Sequence, residues 1–217
     1  MKKLLLLLFS ALSFFLNAQD QDPKAKAILD DLSKTTKAHK TITAEYSYTI
    51  LNKDKKQIEK QSGKVFVKGQ KFKLEIPGNT IVCDGKTLWN YNKDAKEVTI
   101  KNFNAENEDQ LNPSKIFTIY ETGYKYKFDK EEKVGLILCN VIDLFPAVKP
   151  EKKKFHTIKL YVDKTKKQIV QVKMLMKDGG TQSYEIKSLK SNVEMADNLF
   201  VFDLKGFKAD QINDERD

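Results

Sequence analysis

Apolar and polar residues alternate with a period of two along most of the chain after residue 40. The alternation recurs in segments 41–50, 71–76, 158–163 and 170–176. Because successive side chains of a strand point to opposite faces, each segment predicts a strand with one buried and one solvated face. Turn clusters rich in Gly, Asn and Asp separate the segments. Connections this short favour a meander of neighbouring antiparallel strands.

Residues 82–92 predict a short hairpin. Asp84-Gly85 lies between two alternating runs and is a favoured two-residue turn. The second run places Trp89, the only tryptophan, and Tyr91 on one face, with Asn90 between them on the other. The pattern therefore predicts two large aromatic side chains on one side of the sheet.

Two segments have helical rather than strand spacing. Asp22-Pro23 is typical of a helix cap and first turn, and apolar residues at helical spacing follow it. Asn112-Pro113 begins a second, short helix with an unusually apolar surface. Both helices are expected to lie across the apolar face of the sheet. The pattern fits an ordinary dry core and a ligand cavity equally well.

The N-terminus has the three-part layout of a secretory signal. Met1-Lys2-Lys3 precedes an apolar run over residues 4–16, and Asn17-Ala18 follows it. Cleavage is expected after Ala18, which leaves an exported, soluble single domain over residues 19–217. The alternative is an N-terminal membrane anchor, but the run is short for a span of about 20 residues.

The charge is basic and comes almost wholly from lysine. The whole chain has a formal charge of +9, and Arg216 is the only arginine. Lysine lacks the bidentate fork that suits specific phosphate or base recognition, so nucleic-acid binding is not expected. A solvated lysine-rich surface is favoured over a dedicated patch for anionic membranes.

Candidate chemistry is sparse. Cys83 and Cys139 lie in apolar strands, where export permits a disulfide and each thiol also fits a small buried hydrophobe. His39 and His156 have no nucleophile, metal-ligand spacing or carboxylate partner nearby in the sequence. The sequence therefore predicts no enzyme, no metal site and no cofactor, although a triad that assembles in space leaves no sequence signature.

The sequence resembles a known family, the LolA-type periplasmic carriers of outer-membrane lipoproteins. The similarity is highest over residues 84–92, where the family has a D-G-K-x-L-W-x-Y-N stretch. Residues 63–68, Asn112-Pro113, and the ending 199–202 with Gly206 and Asp210 support it in order and spacing. The resemblance implies a mainly β (α+β) fold, a strongly curved antiparallel half-barrel whose concave apolar face is covered by lid helices.

The resemblance also implies a function and a set of site residues. A monomeric periplasmic carrier would take acylated lipoproteins from an inner-membrane ABC transporter and pass them to an outer-membrane acceptor. The cavity would be lined by Tyr46, Tyr48, Phe72, Leu74, Ile76, Trp89, Tyr91, Met174 and Met176. The lid helices would contribute Ile28, Leu32, Ile116, Phe117 and Ile119. For each residue the alternative is core packing without a ligand contact.

One feature departs from the family. An arginine linked to lid closure is replaced here by the turn Lys68-Gly69-Gln70. Lys68 or Lys71 is expected to donate to lid carbonyls instead, without the planar fork. The identity of the cargo therefore stays open. The second hypothesis is a carrier of a glycolipid, a pigment precursor or another lipid, or a sensor of mislocalised lipid, on the same fold. A secreted hydrolase is the third, for which no candidate residue can be named.

Overall fold

The computed structural model describes residues 22–104, 113 and 120–216. The expected signal sequence and its cleavage after Ala18 lie outside the described residues. The same holds for three of the expected lid residues, Ile116, Phe117 and Ile119. Within the described part of the chain, no helix is both long enough and apolar enough to cross a membrane.

The described structure contains one α-helix, twelve strands and short 3-10 helices at Pro150–Lys152, Asp197–Phe200 and Ala209–Gln211. The helix α1 spans Pro23–Lys37. The strands are β1 Ile42–Leu51, β2 Gln57–Lys68, β3 Lys71–Ile76, β4 Asn79–Cys83, β5 Thr87–Asn92, β6 Glu97–Asn102, β7 Tyr124–Val134, β8 Ile137–Pro146, β9 Phe155–Asp163, β10 Ile169–Met176, β11 Thr181–Ser191 and β12 Ile212–Asp214.

All twelve strands belong to one sheet, in the order β12-β6-β5-β4-β3-β2-β1-β11-β10-β9-β8-β7. Two meanders, β1 to β6 and β7 to β11, are joined where β1 pairs antiparallel with β11. Only β12 is parallel to its neighbour, β6. The two end strands, β12 and β7, do not pair with each other, so the sheet is unclosed. The expected mainly β, antiparallel architecture is confirmed.

The sheet is strongly curved. A single apolar cluster joins Phe72 of β3 to Ile142 and Leu144 of β8, which are far apart in the strand order. Side chains from such distant strands meet only if the sheet bends around them. Leu29 and Leu32 of α1 belong to the same cluster. The helix therefore covers the concave apolar face, as predicted for the first lid helix.

The predicted hairpin forms between β4 and β5. The Asp84 N–H donates to the Thr87 carbonyl over 3.2 Å, and the Asp84 carboxylate accepts from the Lys86 N–H over 2.8 Å. Gly85 has a φ of 96°, a left-handed conformation that a residue without a side chain adopts at little cost. The strong turn signal in the sequence therefore corresponds to the observed turn.

The expectation that Trp89 and Tyr91 stand beside Phe72 in the concave wall is wrong. Both pack in a separate cluster on the other face, with Val82 and the C-terminal Phe202 and with further residues Val98, Ile100, Leu204, Phe207 and Ile212. Alternation correctly placed the two aromatic residues on one face. The alternation does not say what covers each face. Here the cover of Trp89 is the C-terminal segment around Phe202, more than 100 residues away in the chain.

The two cysteines are free thiols on opposite faces. Cys83 belongs to the concave cluster, whereas Cys139 packs with Val141, Tyr161 and Val170 in a third cluster. Burial raises the pKa of each thiol to about 11. Of the two interpretations left open by the sequence, the structure has two separate small buried hydrophobes rather than a disulfide.

Candidate lipid-binding face

The concave face has a fully packed floor and a half-buried margin. Phe72 is completely buried and makes an edge contact with Phe103 at 5.7 Å between ring centroids, and Leu74 is also buried. Ile76 and Met174 pack against this core but keep part of their surface exposed. The margin thus offers apolar surface that the folded chain does not fully cover.

Three tyrosines form an aromatic cluster on this face where β1 pairs with β11. Tyr48 lies directly opposite Tyr184, with ring centroids 4.7 Å apart, and Tyr46 lies 6.3 Å from the same ring. Burial raises the pKa of Tyr46 to about 12 and also raises the pKa values of Tyr48 and Tyr184. The three phenols therefore stay neutral at physiological pH and present flat, uncharged surface.

Gly63 makes room for the Tyr46 ring. The two residues are paired across β1 and β2. A Cβ atom at residue 63 would lie 2.5 Å from the Tyr46 Oη and 2.8 Å from the Glu75 carbonyl oxygen. Both distances are shorter than side chains tolerate, so the ring occupies the space that glycine leaves empty. The position of Tyr46 on the concave face depends on this glycine.

Met176 lies at one end of the face rather than in its centre. It lines a cavity of about 320 Å³ where the β1–β2 turn meets the β10–β11 turn. The lining also includes Ile50, Leu51, Gln182 and Thr181. A larger cavity of about 410 Å³ lies on the opposite face, between Val82 and the C-terminal segment.

Polar contacts hold α1 across the concave face. At its start, the Asp22 carboxylate caps the helix by accepting from the Lys24 and Ala25 N–H groups, and it also accepts from the Phe128 N–H over 2.9 Å. The hydrogen bond from Phe128 is the main reason that the pKa of Asp22 lies below its usual value. One carboxylate therefore caps the start of the helix and ties it to β7.

The second half of α1 is held through Glu121. The Ser33 hydroxyl donates to its carboxylate over 2.6 Å, and Lys37 forms an ion pair with it at 2.8 Å. Two residues of the predicted stripe, Leu32 and Ile28, point into the core, and Leu32 is completely buried. The helix thus combines an apolar inner stripe with polar attachments at its edges.

Among the described residues, the ammonium groups of Lys68 and Lys71 make their polar contacts with the C-terminal segment rather than with α1. The Lys68 ammonium donates to the Met195 carbonyl over 2.9 Å and pairs with Asp197 at 2.9 Å, while Lys71 pairs with Asp197 at 3.2 Å. The expectation that these lysines donate to lid carbonyls is therefore not met within the described residues. They attach the C-terminal segment instead.

Several concave residues were not among those expected from the sequence. Ile81 and Leu88 pack against the concave core, as do Tyr184 and Ile186 of β11. The signal for β11 was present, because Tyr184 and Ile186 alternate with polar neighbours. The signal for Leu88 was its position on the face opposite Trp89, which becomes informative only once the concave face is known.

Reactive groups are not gathered at this face. The described residues contain no group of three or more His, Cys, Asp or Glu side chains that could hold a metal ion. His156 lies outside the concave cluster, and its Nδ1 is 2.9 Å from the Thr157 hydroxyl. What the described residues of this face offer is apolar contact.

The fold and this face define a class of protein: an unclosed, curved β-sheet with an apolar concave face beneath a helix. The family model described as "Outer membrane lipoprotein carrier protein LolA" matches residues 37–203. The match covers most of the chain, and the protein belongs to this family.

Two individual proteins are similar to this chain in sequence. The chain is 24% identical over 222 residues to the outer-membrane lipoprotein carrier protein of Pasteurella multocida, with 100% of this chain and 99% of that protein covered. It is 28% identical over 205 residues to an uncharacterized protein of Methanocaldococcus jannaschii. That alignment covers 93% of this chain but only 58% of the archaeal protein.

Solved structures share the fold. A crystal structure of an uncharacterized conserved protein from Thermus thermophilus superimposes with a TM-score of 0.59 at 14% sequence identity. The superposition covers 89% of this chain and 99% of the other. At this level of identity the likeness concerns the fold alone.

Proposed function

We propose that the protein is a noncatalytic periplasmic carrier that binds the acyl chains of lipoproteins at its concave face and moves them from the inner to the outer membrane. The observation that carries the proposal is a half-buried apolar margin under a helix held by polar contacts. Family membership and the name of the Pasteurella relative support lipoproteins as the cargo. An inner-membrane ABC transporter and an outer-membrane acceptor are the partners that this role requires.

The physical need for such a carrier is large. Each methylene exposed to water costs about 0.8 kcal/mol, so several acyl chains cost on the order of tens of kcal/mol. A face that replaces water around these chains removes most of this cost. The tyrosine cluster and the apolar margin provide uncharged surface for that contact, and the flexible thioether of Met174 suits chains of different shape.

Binding requires that α1 give way. The helix buries Ala25, Leu29 and Leu32 against the concave cluster. Its edge contacts through Asp22 and Glu121 are few and polar, and water can replace them when they break. Acyl chains that take the place of the helix stripe then cover the exposed apolar residues. In this proposal α1 exchanges with the cargo, and Phe72 and Leu74 form the floor beneath both.

Native mass spectrometry of protein purified from the periplasm without detergent tests the cargo. A copurified triacylated peptide is the expected result. A free lipid, such as a glycolipid or a pigment precursor, would instead support a carrier or sensor of another lipid. This second candidate is kept because Lys68, at the turn where the family has its lid arginine, contacts the C-terminal segment rather than α1. Repeated recovery of empty protein would contradict both.

Two adjacent residues of β10 provide a matched pair of variants for the site. Met174 packs on the concave face, and Leu175 is also half-buried but points to the other face of the same strand. Met174→Glu is expected to abolish release of lipoproteins from spheroplasts, whereas Leu175→Glu retains it. Equal loss in both variants would mean that the effect is on folding, and equal retention would contradict the site.

A further inference from the structure

The β7–β8 hairpin projects beyond the rest of the sheet. Its pairing continues to Val134 opposite Ile137, while the pairing of β8 with β9 ends at Cys139 opposite Asp163. The Lys164 N–H makes the last backbone contact, to the Leu138 carbonyl over 3.1 Å. Because β7 is an edge strand, the end of the hairpin has no neighbouring strand on either side among the described residues. It extends about 7 Å past its last neighbour.

The projecting end is apolar. Leu136 is 100% exposed, and Ile137 and Leu138 are each 39% exposed. The turn consists of Gly135, with a φ of 59°, and Leu136, so the leucine side chain stands at the apex. A tight two-residue turn cannot fold back to cover it. Three consecutive exposed apolar residues at a projecting tip indicate an interaction site rather than a core.

Unpaired positive charge flanks the tip. Among the described residues, Lys133, opposite Leu138 in the hairpin, and Lys166 in the neighbouring turn form no ion pair. The nearby acids are already occupied, since Glu131 pairs with Lys164 at 2.8 Å and Glu132 pairs with Lys130 at 2.8 Å. The buried Asp163 carboxylate accepts backbone N–H groups of its own turn.

We propose that this hairpin tip docks the protein on an anionic lipid bilayer. Leu136 and Ile137 would enter the boundary between headgroups and acyl chains, while Lys133 and Lys166 stay level with the phosphates. A protein partner is less favoured, because three side chains at a tip offer far less than the roughly 800 Å² per partner of a stable interface. The docking surface is separate from the concave face, so the proposal holds for any cargo.

Sedimentation with vesicles tests the docking surface. The protein is purified after export, and mass spectrometry identifies its N-terminal residue. It is then mixed with vesicles of phosphatidylcholine that contain phosphatidylglycerol. Leu136→Ser is expected to weaken binding about tenfold. Val201→Ser is the matched control, because Val201 is 55% exposed but lies in the C-terminal segment, and it should leave binding unchanged. Absence of binding by the unmodified protein, or equal binding by Leu136→Ser, would overturn the proposal.

The charge contribution is tested separately. The double variant Lys133→Gln, Lys166→Gln is expected to weaken binding to anionic vesicles roughly tenfold or more. Vesicles of phosphatidylcholine alone should bind this variant and the unmodified protein equally weakly. Unchanged binding to anionic vesicles would remove the lysines from the proposal and leave a purely apolar contact, which contradicts docking on anionic lipid.

A fluorescent variant reports insertion directly. Leu136→Trp places an indole at the apex, whereas the native Trp89 is buried on the outer face of the sheet, so its emission is expected to stay unchanged when vesicles are added. Addition of anionic vesicles is expected to shift the emission of Leu136→Trp to shorter wavelength. The same substitution at Val201 should show no shift. An unshifted spectrum for Leu136→Trp at saturating vesicle concentration would contradict insertion.

Discussion

The two faces of the sheet are covered in different ways. The concave face lies under α1, which inserts an aliphatic stripe and is tied down at its edges by Asp22 and Glu121. On the outer face, the C-terminal segment covers β4 to β6, where Tyr91 contacts Phe202 and Phe207 at 5.5 and 5.4 Å between ring centroids. That segment also adds β12 to the sheet by backbone pairing with β6.

Under the proposed function, this difference separates a structural cover from a cover that gives way to cargo. The outer cover packs aromatic rings against the sheet and pairs β12 with β6. Removing it would expose the apolar rings and leave backbone groups of β6 unpaired. The inner cover contributes mainly aliphatic contacts, for which acyl chains can substitute. The cover of the outer face is therefore aromatic and that of the concave face aliphatic, which is the difference that the proposed exchange of α1 with cargo requires.

Trp89→Ala should produce the largest effect on stability. Trp89 is buried in the outer cluster, and truncation of a buried tryptophan costs about 3–5 kcal/mol of unfolding free energy. Acyl-chain binding per folded molecule should be unchanged, because the concave face is untouched. Denaturant titration measures the first quantity, and titration with a fluorescent acyl peptide measures the second. A specific loss of binding with normal stability would reverse the roles of the two faces.

Gly63→Ala should damage the concave face. Its new methyl group would press on the Tyr46 ring and the Glu75 carbonyl, and overpacking of this kind costs about 1–3 kcal/mol. Acyl-peptide affinity should fall together with stability, in contrast to Trp89→Ala. Adding Tyr46→Ala removes one of the two contacts, so the two substitutions should be less than additive in a double-mutant cycle. Strict additivity would show that the ring does not depend on the glycine.

Asp22→Ala should loosen the inner cover. The substitution removes the helix cap and the hydrogen bond from the Phe128 N–H, and loss of a cap costs about 0.5–2 kcal/mol. Hydrogen exchange of α1 amides should accelerate while exchange in β4 and β5 stays the same. Asp197→Ala, which breaks the contacts with Lys68 and Lys71, is the control on the outer face. It should leave α1 unaffected, and faster α1 exchange in that control would contradict independent covers.

Raising the pH should have the smallest effect of the changes considered. The free energy of unfolding should stay constant up to about pH 9 and fall at higher pH. The pKa of Cys83 is raised from 9.0 to about 11, and that of Tyr46 from 10.0 to about 12, so both groups lose their protons more readily in the unfolded chain. The stability they contribute is fully present below pH 9 and is lost as pH rises through 11 and 12. Unfolding titrations at pH 8 and pH 11 measure this loss, and equal stability at both would contradict it.

Much of the fold was predictable from local patterns. Alternation identified β1, β3, β9 and β10, the Asp84-Gly85 turn identified the β4–β5 hairpin, and Asp22-Pro23 identified the start of α1. These features depend on neighbours in sequence. The pairing of β1 with β11 and of β12 with β6 joins distant parts of the chain, and no local pattern encodes it.

The site was predictable only in part. Five of the expected cavity residues belong to the concave cluster: Phe72, Leu74, Ile76, Tyr46 and Met174. Trp89 and Tyr91 were not, because a two-residue period assigns residues to a face without saying what covers that face. Their cover, the segment from 195 to 211, has too little periodicity to reveal that it crosses the outer surface. Whether the concave residues contact a ligand remains a prediction.

Photo-crosslinking from the acyl chain tests most directly whether cargo occupies the concave face. A triacylated peptide with a photoreactive group near the end of one chain is bound, irradiated and mapped by mass spectrometry. The account predicts crosslinks to Tyr46, Ile76, Met174 and Ile186. Crosslinks concentrated at Trp89 and its neighbours under the C-terminal segment would contradict it.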